Sequence, residues 1–483
     1  MASFGVHSEV GKLRKVIVHR PDLSLKRLTP GNHDELLFDD VLWVERAQWE
    51  HDQFVARMRE RGVEVFYVQD LLSEALGASQ DARQRLTDLV TSEYVVGIGL
   101  VEPVREALAK LAPDALARHL IGGLTVGETG LDLGKLKSTS LIAAALDDES
   151  TFILPPLPNS LFTRDSSCWI YGGVSINPMY WPARRREAFN MAAIYKAHPM
   201  FAGQAFEFWY PPLGDDDRFN AHDFGLASLE GGDVEIIGNG AVAIGMSERT
   251  TARMIEQIAR ALFAKGAAKR VIAAVMTKDR AHMHLDTVFT LLDRDKATAY
   301  SQVVDGIRSI SLRPGSKPGT LDVREDKDFL SAVGDALGVK KLTVVSTGGD
   351  AYQQEREQWD DGNNVVARAG RGRSLRAEHV HDCEDARGRC RGHHDRRLRA
   401  GQGPWRRALH DLPDRPRCDL AGGTRERAGE IRRGDSRGPG DRPVAPARAR
   451  RRREGRAREQ PDRGGPGCRR DRLRLRGAKA RGR

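Results

Sequence analysis

Four short segments set carboxylates, a histidine, arginines and glycines into otherwise apolar surroundings. They are Leu157-Pro-Asn-Ser-Leu-Phe-Thr-Arg-Asp-Ser-Ser-Cys-Trp169, Leu229-Glu-Gly-Gly-Asp-Val234, Gly245-Met-Ser-Glu-Arg-Thr250 and Met283-His-Leu-Asp-Thr287. The first puts Asn159, Arg164 and Asp165 at the mouth of a strand. In the second, paired glycines let the backbone approach a partner closely. In the fourth, His284 and Asp286 stand two apart at what reads as a strand start, so they share a face. Carboxylates can hold a planar cation through paired, charge-assisted hydrogen bonds, and a histidine beside them can move protons. Each segment also has a purely structural reading. Arg164 and Asp165 could form a surface ion pair, Glu230-Gly-Gly-Asp233 a turn, and Arg184 to Arg186 a solvated helix start. His284-Leu-Asp286 could be a metal-ligand pair or a satisfied histidine at a sheet edge. Taken singly, none decides the chemistry.

The elements that must position these groups alternate between strands and helices. Leu13 to Pro21 is β-branched and closed by proline, a strand signal; a helix follows over Val41 to Arg61, then a second strand over Val63 to Val68. From about Asp70 to Leu146 the pattern turns helical with few strand candidates, which reads as a helical insert. Beyond Thr151, strands are expected at Ser167–Tyr171, Asp233–Ile237, Ala241–Ile244, Arg270–Val275, Asp286–Leu292 and Lys341–Val345. Helices are expected at Arg184–Ala197, Thr250–Lys265 and Asp326–Leu337. Such alternation points to one large α/β or α+β body.

The chain of 483 residues carries a net charge of +10, but the charge is unevenly placed. Residues 368–483 hold 36 Lys and Arg against 16 Asp and Glu, which leaves residues 1–367 at a net −10. The basic average therefore describes neither part. The tail has 35 arginines but a single lysine and a single aromatic, and reads as disordered. Cys168 is the one cysteine of the body, which excludes a disulfide framework there; Cys383, Cys390, Cys418 and Cys468 lack the paired spacing of a zinc site. No apolar run approaches the roughly 20 residues of a membrane span, and the N-terminus lacks an apolar signal segment. A cytoplasmic protein is expected.

Together the motifs are more specific than any one of them. LPNSLFTRD, WPARR, LEGGDV, GMSERT and MHLDTVFT, in that order, with GVHSEVGKLRKVIVHRP and LLFDDVLWVERAQWEHDQF before them, resemble the arginine deiminase family from about Gly5 to Ala367. The resemblance implies a pseudo-fivefold α/β propeller of ββαβ units over 1–72 and 151–367, with a helical insert over 73–150. The substrate it implies is L-arginine, with neither metal nor organic cofactor. Asp165 and Asp286 would hold the guanidinium nitrogens, His284 would shuttle protons, and Glu230 would position the site and balance its charge. Arg184 and Arg249 would pair with the substrate α-carboxylate, and Asn159 and Phe162 would shape its other end. A cysteine thiolate would attack the guanidinium carbon and expel ammonia; water would then release citrulline.

The family's nucleophile lies in a glycine-rich run of the form GGGHCMTCP, which this chain lacks. Back-translating Trp405-Arg-Arg-Ala-Leu-His-Asp-Leu-Pro413 with G/C-favouring codons gives TGG CGG CGG GCA CTG CAT GAC CTG CCC. One base later, the same letters read Gly-Gly-Gly-His-Cys-Met-Thr-Cys-Pro. The tail is thus read as out of frame from near codons 367 to 371, with the cysteine due where Leu409 stands. The expected consequences are an open strand edge, an unfilled core and no deiminase activity. Three readings compete with a deiminase by descent: an amidinotransferase or related guanidine hydrolase, a catalytically dead arginine-binding protein, and nucleic-acid binding through the basic tail. The last would be incidental to an out-of-frame segment. A homo-oligomer is left open.

Overall fold

The computed structural model describes residues 4–146, 148–211 and 224–367. The basic tail, its expected disorder and the position of Leu409 lie outside the described residues. The fold is α/β, and one unit recurs along it. Ser167–Ile170 and Gly173–Ile176 pair antiparallel; helix Arg185–Ala197 follows, and Glu207–Tyr210 then returns parallel to the second strand. Val234–Gly238, Ala241–Met246, helix Ala252–Ala264 and Arg270–Val275 repeat that ββαβ order. Phe289–Asp293, Lys296–Ala299, helix Phe329–Leu337 and Thr343–Ser346 make a third copy. In the third copy the chain detours through a hairpin, Arg308–Pro314 and Leu321–Glu325, which extends the second unit's sheet beyond Arg270–Val275. Near the N-terminus, Lys15–Val18, helix Val44–Glu60 and Glu64–Tyr67 form a parallel βαβ segment.

The helices face their sheets through apolar stripes. On Ala252–Ala264, Met254, Ile255, Ile258, Ala259 and Leu262 recur at three- and four-residue spacing, and all are buried. Between 68 and 145 the chain is mainly helical, and Leu72, Leu100, Leu108, Leu116 and Leu120 pack in one core with Phe189 and Ile194 of helix Arg185–Ala197. That core braces the element that begins beside the site. No described helix is long and apolar enough to cross a membrane.

Two local expectations are corrected. The run Asp286–Leu292 is not a strand throughout: Leu285–Thr287 is a 3-10 turn, and the strand begins at Phe289. His284 and Asp286 are therefore held by a turn and not by strand alternation. The three arginines after Pro182 are not a solvated helix start, because Arg184 ends a 3-10 turn and is only 2% exposed.

Candidate functional site

The site is assembled from equivalent places in the three repeats. Thr163–Ser166, Gly231–Asp233 and Leu285–Thr287 each form a single helical turn immediately before the first strand of a unit. Those turns present Asp165, Glu230 with Asp233, and His284 with Asp286. All five are buried. Glycine makes the approach of the turns feasible, since a Cβ on Gly232 would stand 2.6 Å from His284 Nδ1 and 3.1 Å from Asp165 Oδ1.

Glu230 is the hub. Its Oε2 accepts from His284 Nε2 at 2.9 Å, from Arg184 Nη1 at 3.3 Å and from Arg249 Nη1 at 3.3 Å, while Oε1 has no hydrogen-bond partner. Asp165 accepts from Arg184 Nη1 at 2.8 Å through Oδ2 and from the Gly232 amide at 3.1 Å through Oδ1. Asp165 Oδ1 also lies 3.8 Å from His284 Nδ1. Arg184 is held further by Glu187, which accepts at 3.1 and 2.9 Å, and by the Asn159 carbonyl at 3.2 Å. Asn159 itself donates to the Leu36 carbonyl at 2.6 Å, and the half-buried Phe162 stacks against Phe38. Arg164 and Asp165 are not a surface pair: Arg164 turns to Glu9, donating at 2.7 and 3.0 Å, and to the carbonyl of Gly231.

Charge is finely divided among these groups. Burial alone would raise the Glu230 carboxyl, but the His284 hydrogen bond and the two guanidiniums outweigh it and hold it near 2. Burial alone would lower His284, but Asp165, Glu230 and Asp233 outweigh it and push it up to about 9. Burial dominates for Asp286, raised to about 8, and for Glu187, raised to about 7. Near neutral pH, then, Glu230 is ionised, His284 is protonated and Asp286 holds its proton. Asp286 Oδ1 is buried without a partner.

Asp165, Glu230 and His284 bring donor atoms within 4.8 Å of one another, a spacing that would also admit a metal ion. Arg184 and Arg249 already share Glu230 Oε2, however, and Arg184 also holds Asp165, so the chemistry in place is carboxylate with guanidinium. Cys168 belongs to the core behind Asp165; its thiol sits by Asn177, and burial pushes it up to about 11. A thiol so placed is a poor nucleophile.

Two carboxylates that face the cluster were not singled out from the sequence as site residues. Glu187 sits one helical turn from Arg184, a spacing that signals a pair. Asp233 lies inside the LEGGDV motif, but nothing local tells its carboxylate from that of Glu230.

A family model for arginine deiminase matches residues 34–369. Similar solved structures include SxtG, an amidinotransferase from Microseira wollei in the saxitoxin biosynthetic pathway. Its identity is 13% over 75% of this chain and 83% of that one, with a TM-score of 0.39. DDAH from Pseudomonas aeruginosa, complexed with citrulline, is 12% identical over 71% of this chain and 94% of that one, with a TM-score of 0.31. A dimethylarginine dimethylaminohydrolase adduct with S-methyl-L-thiocitrulline is 13% identical over 72% and 96%, with a TM-score of 0.32. The match of the family model spans well over half of the sequence, and the chain belongs to the arginine deiminase family.

Proposed function

We propose that the site binds L-arginine by its guanidinium, and that the protein's lineage is that of an enzyme converting L-arginine and water to L-citrulline and ammonia. The observation that carries this reading is the convergence of Asp165, Glu230, Asp286 and His284 on one buried place. Glu230 Oε1 and Asp286 Oδ1 are left there without partners. Guanidinium is the cation whose planar array of donors matches such a set. The Arg184 guanidinium, already lodged against Asp165 and Glu230, is the local precedent.

In this reading Asp165 and Asp286 grip the substrate nitrogens and Glu230 orients His284. His284 protonates the departing ammonia and later takes a proton from the attacking water. Arg184 and Arg249, paired with carboxylates in the free protein, release Glu230 when the substrate guanidinium arrives and turn to the substrate α-carboxylate. Asn159 and Phe162 border that end. The carbon–sulfur bond of the thiouronium intermediate would come from a cysteine that residues 1–367 do not supply, because Cys168 is packed behind the site. The same proposal includes closure of the ββαβ units over 1–72 and 151–367 as a pseudo-fivefold propeller around the site, with 73–150 as the insert.

Calorimetry with the 483-residue chain tests the binding. L-arginine is expected to bind with no citrulline formed, and agmatine, which lacks the α-carboxylate, is expected to bind more weakly. Both Asp165→Asn and Asp286→Asn are expected to abolish the heat of binding. Equal affinity for agmatine would remove the role given to Arg184 and Arg249, and no binding of L-arginine would remove the substrate.

A further inference from the structure

We infer that Asp233 is a positioning residue that locks the turn bearing His284 and Asp286 to the turn bearing Arg249. The inference rests on the reading of His284 as the proton carrier. The Asp233 carboxylate is fully buried, and both oxygens are engaged across chain segments distant in sequence. Oδ1 accepts from the Leu285 amide at 3.0 Å, and Oδ2 accepts from Ser247 Oγ at 2.6 Å. Ser247 Oγ in turn accepts from the amides of Arg249 at 3.0 Å and Thr250 at 3.3 Å. One carboxylate therefore ties Leu285, between His284 and Asp286, to the residue whose guanidinium caps Glu230.

The space around it is built for that purpose. Gly245 faces Asp233 so closely that a Cβ there would strike Oδ1, and would also come within 3.1 Å of Leu285 Cβ. On its other side the His284–Thr287 turn is closed by Thr287 Oγ1, which donates to the His284 carbonyl at 2.6 Å. Asp233 does not hydrogen-bond His284 and is not given a place on the substrate. It acts through the turn and through its charge, which with those of Asp165 and Glu230 favours imidazolium. Asp286 also faces that imidazole, its own proton leaving it neutral near pH 7, and the Arg184 and Arg249 guanidiniums meet the ring across Glu230 Oε2.

Asp233→Asn separates positioning from bulk. The amide still accepts from Leu285, but its NH2 group meets a Ser247 oxygen whose lone pairs already take two amides. In the full chain, titration of His284 followed by 15N NMR of the imidazole should show at least tenfold weaker proton affinity, a shift of one pH unit. Ser247→Ala, which removes the hydroxyl donated to Asp233 and the acceptor of the Arg249 and Thr250 amides but no charge, should shift His284 in the same direction by less, and it serves if Asp233→Asn fails to fold. A folded variant whose melting temperature falls while His284 titrates as before would overturn the inference, leaving Asp233 merely structural. Loss of L-arginine binding by the unaltered chain would instead sink the substrate assignment, and the His284 titration would still decide the role of Asp233.

Discussion

At the residue scale the site carries groups of opposite pH response, and the sign of each follows from its environment. His284 is raised from 6.5 to about 9, so its contribution to stability is fully present below pH 6.5 and is lost as pH rises through 9. Asp286, raised from 3.8 to about 8, acts in the same sense: the folded state holds a proton that it surrenders as pH climbs to 8. Glu230 acts in reverse. Held near 2, it contributes above pH 4.5 and loses that contribution as pH falls through 2. The melting temperature is therefore expected to fall from pH 6.5 to 9, most steeply between about 6.5 and 8, where the folded state holds protons on both His284 and Asp286 that the unfolded chain has released. His284→Asn should flatten that slope, and by removing a hydrogen bond and a charge that hold Glu230 down it should also shrink the acid limb. A melting temperature that rises from pH 7 to 9 would contradict the assignment of imidazolium to His284. The types of these residues were legible in the sequence, but their pairing was not: that three cations share one oxygen of Glu230 depends on residues 19, 46 and 54 positions from it in the chain.

At the element scale, the turn before the first strand of each ββαβ unit does the positioning. Long, strongly patterned elements were legible: Arg270–Val275 was expected over the residues it occupies, and Arg185–Ala197 and Ala252–Ala264 within two residues at each end. Gly173–Ile176 was not, because four residues between Gly172 and Asn177 are too few to show a period, although all four are buried in the middle of a sheet. Leu321–Glu325 was hidden by its polar, largely exposed side chains, since a hairpin edge needs little apolar pattern. The turn at Leu285–Thr287 was misread for a tertiary reason. Its residues suit a strand, but Asp233 captures the Leu285 amide and Thr287 bonds back to His284. This crowding makes Gly232 a sharp test. Gly232→Ala would press a methyl on His284 and Asp165, and overpacking of that kind costs about 1–3 kcal/mol. The expected result is a lower melting temperature together with weaker L-arginine binding; a variant that binds as well as the parent would show that the Glu230 and His284 turns need not approach so closely.

At the scale of the whole molecule, the change of composition at residue 368 falls in the wrong place for an appended tail. Linkers to independent segments leave a domain from its surface. Here Asn363, Val365 and Ala367 are buried; Asn363 bridges Thr298 and Thr287, and Ala367, 5% exposed, belongs to the same apolar core as Val10 and Leu285. The chain is thus still in the core up to Ala367, with Asn363 bonded to the Thr287 carbonyl, and the family match ends at 369, one residue after its character changes. The repeat shows what ought to follow. In each ββαβ unit the middle strand pairs with a parallel strand on one side and an antiparallel strand on the other, and the turn before the antiparallel strand bears site residues. Lys15–Val18 is the counterpart of those middle strands, and among the described residues it has only its parallel partner, Glu64–Tyr67. If the frame changes as the G/C-favouring back-translation suggests, Gly-Gly-Gly-His-Cys-Met-Thr-Cys-Pro would follow, and its cysteine would suit a turn before an antiparallel partner that Lys15–Val18 lacks among the described residues. Resequencing the encoding DNA from about codon 355 to codon 420 is expected to remove one base or add two. The corrected chain should then convert L-arginine to citrulline, and alanine in place of the cysteine restored at position 409 should abolish turnover while L-arginine still binds. If the DNA instead confirms the sequence as written, the frame account fails and the protein is an arginine-binding relative without its nucleophile. A corrected chain that binds L-arginine but never releases citrulline would move the error from the reading frame to the mechanism.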